Sequence, residues 1–142
     1  MGDFNLPEFL LDFFVLSEGG KVIYSNPCIL DCDEQMIGAF FSALNSIHNI
    51  CFNTDLKNVS MNKYRLHFLN KEPFFFIAIS RTEIRFELAN NNFETLAHRF
   101  YDTYQKNLPK NWANDIQYFH GFNTEINKTV KELVLEGFET SW

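Results

Sequence analysis

The stretch EPFFFIAIS, residues 72–80, decides the fold of this chain. Phe74, Phe75 and Phe76 open a run that stays apolar through Ile79. A strand wetted on one face alternates apolar and polar residues, whereas a continuous apolar run needs cover on both faces. The run is far shorter than the roughly 18 apolar residues that a membrane-spanning helix requires. These phenylalanines are therefore read as core on both sides of a sheet, with neither a membrane nor a partner needed to cover them.

A second run of the same kind, LLDFFVLS (10–17), precedes a turn signal, EGG (18–20), and a shorter segment, KVIYS (21–25). Two strand-like segments joined through glycines read as a hairpin. In DLKNVSM (55–61) only Leu56, Val59 and Met61 are apolar, which marks a weak strand. In KYRLHF (63–68), Tyr64, Leu66 and Phe68 alternate with Arg65 and His67, which places His67 on a solvent-facing side. NKE (70–72) makes the next turn, and Pro73 starts the strand that follows, where proline is tolerated. The two continuous runs belong at the centre. Joining the hairpin and the three-strand piece through them predicts a five-stranded mixed sheet of order 2-1-5-4-3, with strands one and five parallel.

The period changes in DCDEQMIGAFFSALNSIHNI (31–50). Met36, Ile37, Phe40, Phe41, Leu44 and Ile47 recur at three- and four-residue steps, the mark of an amphipathic helix, with Asp31 or Asp33 as its cap. From Thr82 a second stripe runs through Phe86, Ala89, Phe93, Leu96, Phe100 and Tyr104, with poor helix formers at Asn90, Asn91 and Asn92 allowing a break. Pro109, in the loop NLPKNW (107–112), marks its end. A last helix is predicted over 121–138, with Ile126, Val130, Leu133 and Val134 on one face and Gly137 as terminator. The element order is ββαβββαα, an α/β domain occupying residues 1–142. A crossover connection places the first helix on one face and the other two on the opposite face.

The net charge of −6 argues against nucleic acid, whose phosphates need clustered Lys and Arg, and against direct contact with anionic lipid. The N-terminus lacks the pattern of a secretory signal, and Leu6 stands where a myristoylation motif needs Ser or Thr. Cys28, Cys32 and Cys51 are odd in number and read as reduced cytosolic thiols. Cys28 and Cys32 have no second ligand cluster, and His48, His67, His98 and His120 are scattered over different elements, so no metal or cofactor is expected. Asp31, Asp33 and Glu34 suit a helix N-terminus. Neither a serine nucleophile elbow nor a phosphate-binding loop occurs, and the chain reads as non-catalytic.

Several words resemble the longin-like domains of the longin/roadblock superfamily. FFVLSEGGKVIYS (13–25) is similar to their opening hairpin, MIGAFFSALNSI (36–47) to their first helix, KYRLHF with FFFIAIS (63–80) to their last two strands, and LAHRFYDTY (96–104) to the helix that follows. The similarity spans nearly the whole chain and is nearest to short stand-alone versions from archaea related to eukaryotes, and to longin domains of guanine-nucleotide exchange complexes. The resemblance implies a regulator associated with small GTPases, or a trafficking adaptor, that works as a homo- or heterodimeric platform with another longin or roadblock domain. It implies a cytoplasmic protein that reaches membranes only through partners. No coiled-coil motif or membrane tail follows residue 142, so a SNARE role is not expected. Arg65, Arg81, Arg85 and Arg99 read as solvated charges rather than as an arginine supplied to a GTPase.

The first helix carries more apolar residues than one stripe needs. Phe40 and Phe41 lie about 100° apart on its wheel, so one can face the sheet while the other stays at the edge. Met36, Ile37, Phe40, Phe41 and Leu44, with Lys21, Ile23 and Tyr24 of the edge strand, form the candidate partner interface. A different class of reading remains, a PAS- or GAF-like sensor with a small molecule held in the phenylalanine-rich core.

Overall fold

The computed structural model describes residues 9–26, 33–110, 112 and 116–129. Five strands, β1 (Asp12–Ser17), β2 (Val22–Asn26), β3 (Asn58–Met61), β4 (Tyr64–Lys71) and β5 (Phe74–Arg81), form one sheet of order β2-β1-β5-β4-β3. Helix α1 (Glu34–Phe52) joins β2 to β3, and α2 (Phe86–Tyr104) follows β5. Short 3-10 turns and a helical segment over 122–129, here α3, complete the described chain. The predicted helix 121–138 is thus seen as far as 129, and Val130, Leu133, Val134 and Gly137 lie outside the described residues.

The sheet is antiparallel throughout, and the expectation of parallel β1 and β5 is corrected. Asp12 pairs with Ile79 and Ser17 with Phe74, running in opposite directions. The reason is parity. Each hairpin reverses the chain, and α1, about 28 Å long at 1.5 Å per residue, carries it back across the whole sheet. The strands sharing a direction across that crossover are the two edges, β2 and β3, so β5 opposes β1.

The phenylalanine run divides between two cores. Phe74, Phe76 and Ala78 join Phe13 and Val15 beneath α2 and the C-terminal segments, against Phe93, Phe100, Phe119 and Phe122. Phe75, Ile77 and Ile79 join Phe14 and Leu16 on the other face, against Ile37 and Phe41 of α1. Each fully buried side chain of this size contributes on the order of 1.5–3 kcal/mol. β2 has a bulge where the register shifts between Val15 and Leu16, so Ile23 and Tyr24 both lie in the α2-side core while Val22 faces α1. At Asn90–Asn92 the helix continues without a break.

Asp33 caps α1 by accepting from the amides of Gln35 and Met36, at 2.8 and 3.4 Å; Asp31 lies outside the described residues. Near its start the helix meets the β1–β2 turn at two glycines. A Cβ on Gly38 would collide with the Gly20 carbonyl, and Gly20 itself holds φ +85° beneath Ser42. The helix is therefore seated backbone to backbone. We expect Gly38→Ala to lose about 1–3 kcal/mol in urea unfolding, although alanine is the better helix former. A gain in stability would contradict this seating.

Candidate interface on the first helix

Helix α1 has two apolar faces. Ile37 and Phe41 are buried against the sheet, and Leu44 packs beside them. About 100° round the helix from these, Met36, Phe40, Ile47 and Ile50 are 67, 54, 60 and 82% exposed, and Ala43 between them is also exposed. The sequence steps 36, 40, 43, 47, 50 alternate four and three, the spacing of a helix–helix seam. The seam runs about 21 Å along the helix. Phe52 at its end and Met61 on edge strand β3 are also exposed apolar residues. Isolated surface apolar residues are ordinary; a continuous stripe of this length makes this side of α1 the candidate interface.

The eight residues expected at the interface divide by burial. Met36 and Phe40 lie on the exposed seam, and Lys21 is exposed beside the β1–β2 turn. Ile37, Phe41, Ile23 and Tyr24 are buried and Leu44 is half-buried, so these hold the surface in place from beneath. Tyr24 donates to Asn123 Oδ1 at 2.6 Å, tying β2 to α3; burial raises the hydroxyl's pKa, so it remains a donor. Ala43, Ile47 and Ile50 complete the seam. They could have been found by testing the helix for a second, heptad-spaced stripe beside the core-facing one.

β2 is an edge strand of the sheet, and a cavity of about 230 Å³ lies along it, lined by residues that include Ser25, Glu34, His120 and Asn123. Ser25 donates to Glu34 Oε1 at 2.7 Å, which links this edge to the start of α1. Among the described residues no group of three or more His, Cys, Asp or Glu side chains could hold a metal ion, and no helix is long and apolar enough to cross a membrane. Arg65 is engaged, donating to the Ile84 carbonyl at 3.3 Å and lying 5.5 Å from the Phe86 ring centre.

His67 is not on the surface, which corrects the reading of its strand. The side of β4 that carries Arg65 and His67 is roofed by α2, and His67 and Ser80 are fully buried. Its Nε2 lies 2.7 Å from Ser80 Oγ and its Nδ1 3.2 Å from Asn90 Oδ1. A hydroxyl, an imidazole and an amide in this order resemble a hydrolytic triad, but a hydroxyl with no exposed surface meets no substrate.

The sheet order, with one helix on one face and the others opposite, is that of the longin/roadblock superfamily. A family model described as "First Longin domain of FUZ, MON1 and HPS1" matches residues 12–97, and the chain belongs to that family. In structure it is similar to a roadblock/LC7 domain from Streptomyces avermitilis, with a TM-score of 0.56 and 18% identity over 70% of this chain and 88% of that one. It is also similar to MglB of Myxococcus xanthus, with a TM-score of 0.54 and 11% identity over 66% and 82% of the two chains. The gliding protein MglB of Thermus thermophilus gives a TM-score of 0.50 at 4% identity, over 61% and 71%. At these identities the structural likeness concerns the fold. No curated protein matches the chain in sequence.

The division of α1 into inner and outer faces is testable by paired truncations. Phe41→Ala should lose about 3–5 kcal/mol in urea unfolding. In dilute solution Phe40→Ala, which removes an edge-on contact with Phe41 at 5.4 Å, should lose no more than about 1.5 kcal/mol. Equal losses would mean that both rings are core.

Proposed function

We propose that this chain is a non-catalytic longin-type interaction module related to small GTPases, a regulator or trafficking adaptor that works as a dimeric platform. The observation that carries the reading is the exposed seam of α1. Membership of the longin family and the likeness in fold to MglB support it. The seam is self-complementary. In an antiparallel pair centred on Ala43, Met36 of one copy lies opposite Ile50 of the other, Phe40 opposite Ile47, and Ala43 opposite itself. The small central residue lets the two helices approach closely. A second copy, or a longin domain with the same stripe, is the occupant this pattern fits. Such a pairing would leave the polar flanks of α1 and the β2 edge free for the GTPase. The net charge of −6 favours a partner with basic surface.

The sensor reading needs open space in the core. Beneath α2 that space is filled by rings in mutual contact, such as Phe74 and Phe100 at 5.2 Å and Phe100 and Phe122 at 4.9 Å between centroids.

Light scattering across a dilution series should give twice the 16.7 kDa chain mass at high concentration. Phe40→Asp and Ile47→Asp should each give the single-chain mass with unchanged circular dichroism. Against a panel of small GTPases loaded with fluorescent nucleotide, the wild-type chain should alter nucleotide release from at least one, and the monomeric variants should not. A wild type that stays monomeric at every concentration would overturn the dimer. A dimer without effect on any GTPase would overturn the regulatory reading.

A further inference from the structure

We propose that the Ser80–His67–Asn90 chain is an acid-sensitive latch that fastens the N-terminal half of α2 to the sheet. The three side chains come from β5, β4 and α2, and they form a polar thread between the sheet and the helix. Asn90 donates through Nδ2 to Glu94 Oε1 at 3.0 Å, which turns its Oδ1 towards His67. Nδ1 of His67 therefore carries the proton given to Asn90, and Nε2 accepts from the Ser80 hydroxyl. Neutral imidazole satisfies both contacts with one donor and one acceptor. A second proton on Nε2 would meet the hydroxyl hydrogen and force Ser80, which has no exposed surface, to seek another acceptor.

The surroundings oppose the charged form. Phe86 stacks on the imidazole at 5.5 Å with an interplanar angle of 13°, and Phe93 lies at 5.8 Å. On β4, Arg65 stands on the other strand position of the same face, above Phe86. From α2, the exposed Glu94 is linked to His67 through Asn90, and the exposed Glu87 stands in the first turn. The start of α2 presents the positive end of its dipole, and Arg85 at its N-cap gives no side-chain cap. Burial lowers the His67 pKa from 6.5; the Asn90 hydrogen bond works against that, and the charge of Arg65 adds to it.

The sign follows. Below pH 6.5 an opened His67 takes up a proton and a latched one does not, so opening is favoured as the pH falls. The stabilisation is complete above that value and is lost progressively below it. The first two turns of α2 have no side-chain cap and are held by the latch together with the burial of Ala89 and Phe93, so these are the turns expected to loosen when the latch is lost.

The test is amide hydrogen exchange on the intact chain between pH 7.5 and 5.5, corrected for the intrinsic pH dependence. Protection over residues 86–93 should fall about tenfold at pH 5.5, while α1 stays unchanged. His67→Gln, which keeps a donor and an acceptor but does not titrate, should abolish that pH dependence. Imidazole nitrogen shifts in the wild type provide a second readout that needs no variant. They should show the Nδ1-protonated neutral ring at pH 7 and no titration near 6.5. Protection over 86–93 that is independent of pH would overturn the latch. So would an undiminished pH dependence in the glutamine variant, or a His67 that titrates like a free imidazole.

Discussion

The antiparallel pairing of β1 with β5 is the constraint on which the rest of the structure depends. These strands are buried on both faces, with Phe13, Phe74 and Phe76 directed to one side and Phe14 and Phe75 to the other. Neither face could remain in water without a large loss of hydrophobic stabilisation. One helix is thereby committed to each side. The chain meets this demand with a crossover, α1, that spans the sheet from edge to edge, and with α2, which returns over the other face after β5. The shorter strands then fall at the margins, where β3 is largely exposed and β2 carries a bulge.

That commitment leaves α1 with two tasks. It covers the smaller core with Ile37, Phe41 and Leu44, and the close approach of Gly38 to Gly20 fixes its height above the sheet. With its inner face settled, most of the apolar surface on its outer face is left uncovered in the isolated fold. The seam from Met36 to Ile50 is therefore a feature of the surface, held rigidly by the core beneath it. The opposite face is built differently. There α2 is joined to the sheet by aromatic packing and by the polar contact of His67 with Asn90, so the two faces of one sheet are covered by different means.

Much of the fold was legible in the sequence because hydrophobic period is a local signal. The continuous runs at 10–17 and 73–79 located the central strands, and the stripe from Phe86 to Tyr104 located α2. What was not legible depended on tertiary arrangement. The direction of β5 against β1 follows from counting reversals along the chain, not from any residue. The alternation of Arg65 and His67 suggested water on that side of β4, because nothing local reveals that α2 lies across it. The three asparagines suggested a break in a helix, whereas Asn90 answers His67 across the layer. For the candidate interface, an excess of apolar groups on α1 could be seen, but the inner set, Ile37 and Phe41, could not be separated from the outer set, Met36 and Phe40, until the helix was seated. Ala43 carried no signal alone, since its meaning lies in its position midway along the seam.

Disulfide trapping at that midpoint tests the central claim most directly. In a chain with Cys28, Cys32 and Cys51 changed to serine, Ala43→Cys places one thiol at the centre of the seam, and Asn49→Cys places it on the flank. A disulfide needs the two Cβ atoms within about 4.5 Å, which an antiparallel helix pair centred on Ala43 provides and the flank does not. Mild oxidation should therefore link two copies through position 43 and leave the chain with the thiol at position 49 without a covalent link. A free thiol at position 43, or equal linkage at both positions, would contradict the account.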